Sequence, residues 1–253
     1  MTIKNKKEIE KLREGGKILA GILEKIKDEA RAGTTSQKLN EIAEKEILVF
    51  GGRPSFKNYK ISNDEPPFPS ALCVSINDEI VHGIPSERVL KKGDLVSLDI
   101  GMEYLGLFTD MAITVYVDDV DKKTKKILET GKRALEIGIS QIHDGAHVGD
   151  IGHAIQFFCE KEGFNIVRKL VGHGVGYAVH EDPEIPNWGE RGKGIILKEG
   201  MVIAIEPMIT EGFYDIKLMP NRWTWATKDG SRAVHFEHTV VVTKNGAEIL
   251  TLR

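Results

Sequence analysis

The chain is poor in cysteine, in net charge and in long apolar runs, and each shortage removes a class of protein. Only Cys73 and Cys159 are present, eighty-six residues apart, which excludes a disulfide framework and any paired-cysteine zinc knuckle or redox motif. A reducing compartment suits such a chain. Thirty-five basic residues against thirty-eight acidic ones leave a net charge of −3, without the basic stripe that a phosphate backbone would need. No sequence-specific nucleic-acid partner is therefore expected. No stretch reaches about 18 uninterrupted apolar residues, and the opening MTIKNKKEIEKLREGG is charged and helix-periodic without the apolar core of a signal peptide. The expectation is a soluble, cytoplasmic protein with no membrane partner. What is present is 253 residues with 41% apolar content, enough to bury a sizeable core. That excludes a disordered tail or a mini-protein held together by staples.

Ile9, Leu12, Ile18, Leu19, Ile22, Leu23 and Ile26 recur at helical spacing, so Lys7 to about Ala30 reads as an amphipathic helix with a solvated charged face. Gly33 ends it. Thr34, followed three residues later by Gln37, resembles a capping box that opens a second helix through Leu48, closed by Gly51 and Gly52. After a loop containing Pro66, Pro67 and Pro69, the runs ALCVSIN, DLVSLDIG and LFTDMAITVYV read as strands, the last two joined by a turn at Gly106. Asp121 is placed to cap a helix running to about Ile142, and a shorter helix spans Asp150 to Glu162. Residues 167–179, 200–209 and 233–242 read again as strands.

The order of two helices and a hairpin, repeated, suggests a duplication. KKGDLVSLDIG at 91–101 aligns with LKEGMVIAIEP at 197–207, matching Asp99 with Glu206; TDMAITVYV echoes FEHTVVVT, matching Asp110 with Glu237. The helices match more weakly, Gly33, Leu39 and Ala43 against Gly145, Ile151 and Ile155. The fold class expected is α+β: two pseudosymmetric halves, about residues 1–120 and 121–253, fused into a single domain without a linker.

A hairpin with its apex at Tyr104 and Leu105 would set Asp99 directly opposite Asp110. Their β-carbons would then lie about 5 Å apart, where two charges repel by roughly 3 kcal/mol at an effective dielectric near 20. The alternative is an offset turn with both carboxylates in water. Against it stand the apolar flanks, Leu98 and Ile100 on one side and Ala112 and Ile113 on the other, and the recurrence of acids at the equivalent positions. If the halves face each other, Asp99, Asp110, Glu206 and Glu237 converge on one concave centre. Two divalent cations balance four carboxylates, whereas one would leave net negative charge buried. Oxygen-rich ligation favours manganese, iron(II) or cobalt over a thiolate-type zinc site. A metal pair of that kind activates water and polarises a carbonyl, so hydrolysis is the chemistry implied.

Of eight histidines, His82 in VHGIP, His173 in VGHGVG and His180 in VHEDP interrupt apolar runs beside Gly or Pro, and these three are the functional candidates. His143, His147, His153, His235 and His238 read as structural. No His-Glu-x-x-His motif and no dinucleotide-binding glycine pattern is present.

LVSLDIG, FTDMAITV, HGVGYAVHEDP, AIEPM and FEHTVVV, in that order and with HGIP upstream, closely resemble the methionine aminopeptidases over nearly the whole chain, about Lys7 to Leu252. The resemblance implies the pita-bread fold, a curved antiparallel sheet and its helices around a central dinuclear metal site. It implies two divalent ions (cobalt, manganese, iron(II) or zinc) held by Asp99, Asp110, His173, Glu206 and Glu237, with Asp110 and Glu237 bridging. Asp99 would serve one ion, His173 and Glu206 the other. By the same resemblance, His180 hydrogen-bonds the scissile carbonyl, His82 contacts the substrate backbone, and Glu206 shuttles the proton. Phe68, Cys73 and Trp223 would form the apolar pocket for the methionine side chain. The family often has Tyr where Phe68 stands and an aromatic where Val179 stands, so this pocket's edge is roomier and less polar. The partners implied are nascent protein N-termini and peptides, with room for a transient ribosome contact, and a monomer is expected.

Only 26 residues separate His180 from Glu206 and 31 separate Glu206 from Glu237, which leaves no space for the helical insertion of type 2 enzymes. Type 1 is expected, with no zinc-binding extension. Thr2 is small, so the chain's own Met1 is an expected substrate. The rivals are an X-Pro peptidase of the same fold, which usually carries a large additional N-terminal domain, and a non-catalytic module that has lost its metals.

Overall fold

The computed structural model describes every residue except 1, 63 and 65; the expected removal of Met1 thus concerns a residue outside those described. Helix α1 (Lys6–Glu29) opens on a reciprocal cap, in which the Asn5 side chain accepts from the Glu8 amide and the Glu8 carboxylate accepts from the Asn5 amide. Helix α2 (Ser36–Val49) begins one residue later than expected. Thr34 is committed elsewhere, its N–H to the Arg31 carbonyl and its carbonyl to the Leu90 amide, so Thr35 is the residue whose hydroxyl accepts from the Lys38 amide. Helix α3 (Lys122–Ile139) starts as expected on the Asp121 side chain, which accepts from the Thr124 amide, and ends three residues early. Helix α4 (Val148–Lys161) begins ahead of Asp150, whose carboxylate instead reaches back to the His147 amide. No helix among the described residues is long and apolar enough to cross a membrane.

A nine-stranded antiparallel sheet runs through the middle, in the order 53–54, 95–104, 107–116, 237–243, 202–205, 172–174 and 181–185, with 72–76 also paired to 95–104 and 246–249 to 237–243. Its helical cover divides in two. Leu19, Ile22, Leu23, Leu39 and Ile47 of α1 and α2 pack on Val74, Leu98 and Ile100, while Ile127, Leu135, Ile151 and Ile155 of α3 and α4 pack on Ile203, Ile205 and Val240. The α+β class and the curved sheet agree with the expectation.

The hairpin differs from it by one step. Tyr104 pairs with Leu107, so the turn is Leu105–Gly106, with φ of 51° and 81°. A two-residue turn of this left-handed kind, one of those that match the twist of the strands, needs φ > 0 at both positions, and here a leucine takes one of them. Asp99 consequently lies opposite Ala112, and Asp110 opposite Gly101. The two aspartates are diagonal neighbours on one face, and they are buried, not in water. The expected strands over 200–209 and 233–242 are also broken, at Glu206–Pro207 and at Phe236. Pro207 has no amide to give to a ladder, and the chain turns there into a small separate sheet, 165–166 with 208–210 and 233–235.

Candidate metal centre

Ala112 pairs with Asp99 on one side and with Glu237 on the other, so one cross-strand row carries both acids, and Asp110 lies two residues along on the same face. The strands are clamped there: the Thr239 hydroxyl accepts from the Asp110 amide and donates to the Asp110 carbonyl. Glu206 enters from the strand break before Pro207, and His173 from the short strand Gly172–Gly174. Three overlapping groups of donor atoms lie within 4.8 Å of one another: Asp99, Asp110 and Glu237; His173, Glu206 and Glu237; and Asp110, His173 and His180. His173 Nε2 stands 3.5 Å from Glu206 Oε1 and 3.9 Å from Glu237 Oε1. His173 Nδ1 meets the Gly174 carbonyl at 2.9 Å; donating there, it leaves the Nε2 lone pair facing the carboxylates.

Burial dominates the electrostatics. It pushes Asp99 and Glu206 up to about 7, and Asp110 and Glu237 well above the usual carboxylate range, with neighbouring carboxylates adding to the rise for the latter two. Asp99 Oδ1, Asp110 Oδ1 and Glu237 Oε1 are buried acceptors without a hydrogen-bond partner. Such orphans are rare unless another group satisfies them. Four carboxylates and one imidazole, with their free acceptors aimed at a common centre, fit divalent cations that prefer oxygen with some nitrogen.

One cavity of about 230 Å3 holds this cluster together with His82, His180, Phe68, Cys73 and Trp223. The sequence-derived candidates therefore all meet in one place. Phe68 and Trp223 stack edge to face with centroids 5.2 Å apart, and with Phe56, Cys73 and Val179 they form one apolar wall. Burial pushes the Cys73 thiol well up, as befits a wall and not a nucleophile. His82 sits at φ 57°, its ring 6.2 Å from that of Trp223, and burial holds it down at about 4. His180, exposed at its rim, is pushed lower still by desolvation in the cleft and by His173 and His82 beside it; its Nδ1 lies 2.8 Å from the Tyr59 hydroxyl and its ring 4.5 Å from that of His173.

The sequence missed several residues here. Phe56, Tyr59, Ile61 and Val81 also line the cavity; the first three stand in an irregular loop where no periodicity marks them. His235, expected to be structural, instead places Nε2 3.5 Å from Glu206 Oε2. It is two residues before Glu237, but the strand breaks between them at Phe236, so strand alternation gives no signal for it. His238 points away as expected, its Nδ1 2.9 Å from the Thr251 hydroxyl.

Comparison with known proteins agrees with this geometry. Methionine aminopeptidase 1 of Bacillus subtilis (strain 168) is 43% identical over 248 residues, covering 98% of each chain. The crystal structure of methionine aminopeptidase from Rickettsia prowazekii superposes with a TM-score of 0.96 at 39% identity, and that from Thermotoga maritima with 0.96 at 41%; both comparisons cover 100% of each chain. The profile of metallopeptidase family M24 matches residues 10–244. The chain belongs to metallopeptidase family M24.

Proposed function

We propose that the protein is a methionine aminopeptidase, a metallo-exopeptidase that releases the N-terminal methionine of nascent proteins and peptides whose second residue is small and uncharged. One observation carries the reading: the apolar wall of Phe68, Cys73 and Trp223 shares a single cavity with a cluster of buried carboxylates in a family M24 chain. We read residues 1–253 as one catalytic domain whose two halves each contribute two of the four acids.

Asp99, Asp110, His173, Glu206 and Glu237 would hold two divalent cations, of cobalt, manganese, iron(II) or zinc. When bound, such a pair makes a water nucleophilic at neutral pH and polarises the carbonyl it attacks. The residues supply the rest. Phe68, Cys73 and Trp223 seat the methionine side chain and fix the scissile bond over the cluster. A Tyr59 hydroxyl donating to His180 Nδ1 leaves His180 Nε2–H to donate to the carbonyl oxygen, where negative charge develops. Although its rim is exposed, desolvation in the cleft and the neighbouring His173 and His82 imidazoles hold its pKa down, so it donates a hydrogen bond as the neutral ring. His82, also neutral, borders the pocket where the substrate backbone must pass. Glu206 takes the proton released on attack and returns it to the leaving amine.

The test is hydrolysis of Met-Gly-containing against Xaa-Pro-containing peptides, with and without manganese or cobalt. Metal-dependent release of methionine is expected. No such release, or preferential cleavage before proline, would overturn the reading.

A further inference from the structure

We propose that His235 is a positioning residue for Glu206, holding one carboxylate oxygen through its Nε2–H. The inference rests on the reading of Glu206 as the proton shuttle. His235 is 1% exposed, and neither of its ring nitrogens has a hydrogen-bond partner. Buried polar atoms are ordinarily satisfied, so an imidazole with both nitrogens free points to a contact made when the site is assembled. The geometry identifies that contact. Glu206 is bracketed by two imidazoles, Oε1 3.5 Å from His173 Nε2 and Oε2 3.5 Å from His235 Nε2. With its Nδ1–H given to the Gly174 carbonyl, His173 presents a lone pair to the cluster and has no proton for Glu206. His235 is then the imidazole able to donate.

Its backbone is fixed for that purpose. The Thr114 hydroxyl accepts from the His235 amide at 2.9 Å and donates to the His235 carbonyl at 2.8 Å. His235 also pairs across the strand with Met208, two residues beyond Glu206. With both backbones anchored, a side-chain adjustment of roughly 0.5 Å brings the nitrogen and oxygen into hydrogen-bond range. A carboxylate that must accept a proton in one step and return it in the next works best when it cannot rotate away between them. Held at Oε2, Glu206 keeps Oε1 toward His173.

The experiment compares His235→Leu, His235→Asn and His235→Gln in the metal-loaded protein. Gln keeps an N–H donor at comparable reach, Asn keeps the amide on a shorter stem, and Leu has no donor. The expected result is a fall in kcat of about 10- to 100-fold for Leu and Asn, with KM for a Met-Gly peptide within about twofold, and recovery of most of kcat in Gln. Calorimetric affinity for Mn(II), measured without substrate, should weaken in the same order, by about 10-fold for Leu and Asn. Should Leu not fold, Asn against Gln decides the matter. Equal losses in Gln and Asn, or unchanged kcat and Mn(II) affinity in Asn, would overturn the proposal. If the parent protein releases no methionine, the aminopeptidase reading fails, yet the Mn(II) affinities of the variants still decide whether His235 holds Glu206.

Discussion

Removing divalent cations from this protein should reverse the way its stability responds to pH. Asp99 and Glu206 are pushed up by burial to about 7 from 3.8 and 4.5, and Asp110 and Glu237 are displaced further in the same direction. In the unfolded chain these groups titrate near 4. Between about pH 4 and 7 the folded, metal-stripped protein therefore keeps carboxyl protons that the unfolded chain has released, and these acids cost it stability as pH rises; His82, held at about 4 by burial, and the other buried imidazoles act in the opposite sense below about pH 6.5, so the acids' slope stands alone above that pH. At about 1.36 kcal/mol per unit, Asp99 and Glu206 alone make the acids' share of the loss on the order of 8 kcal/mol, of which the imidazoles offset part below about pH 6.5. For a chain of this size, a net loss of only a few kcal/mol amounts to on the order of 10 °C in Tm. Bound cations must displace those protons, so their stabilisation is lost as pH falls, and the loaded protein should show the opposite slope. Thermal melts by circular dichroism between pH 5 and 8, on protein stripped by chelation and dialysed and on the same protein reloaded with Mn(II), read both slopes. A stripped protein whose Tm rises from about pH 6.5 to pH 8 would refute the argument.

Other perturbations separate pocket, site and scaffold. Phe68→Ala removes a buried wall that stacks on Trp223; kcat/KM for Met-Gly peptides should drop by about 10- to 200-fold, in steady-state assays at saturating metal. Tyr59→Phe deprives His180 of its hydroxyl partner and should lower kcat by about 10-fold with little change in Tm. Gly152→Ala, in α4, would press a methyl on the backbone carbonyls of Pro186 and Trp188, whereas Gly21→Ala, in α1, meets nothing within 4 Å. Urea unfolding should show the first destabilised by about 1–3 kcal/mol and the second stabilised by up to about 1 kcal/mol.

Periodicity made the scaffold legible. The apolar stripe of α1 and the β-branched runs at 95–104 and 107–116 fall close to where the sequence places them, because burying one face forces a repeat that can be read without coordinates. The acids were legible for the opposite reason, since Asp99 and Asp110 stand inside apolar strands and matched positions of the second half hold acids too. What escaped depends on single backbone angles and on contacts remote in sequence. Leu105 at φ 51° shifts the hairpin by one residue, and a leucine gives no sign of a left-handed conformation. Thr34 and Thr35 are equally good caps until Leu90, far along the chain, engages Thr34. Tyr59 and Phe56 carry no pattern, because a loop reaches its cavity through tertiary packing alone. His235 was overlooked because a lone histidine in an apolar strand is ordinarily core, and only the break at Phe236 and the approach of Glu206 give it a polar neighbour.

The central claim is that Asp99, Asp110, Glu206 and Glu237 share one buried space because divalent cations neutralise them. Calorimetric titration of chelator-stripped protein with Mn(II) tests it most directly. Uptake of two equivalents, with protons released to the buffer and both events lost in Asp110→Asn, is the expected result; no stoichiometric uptake, or uptake unaffected by Asp110→Asn, would contradict it.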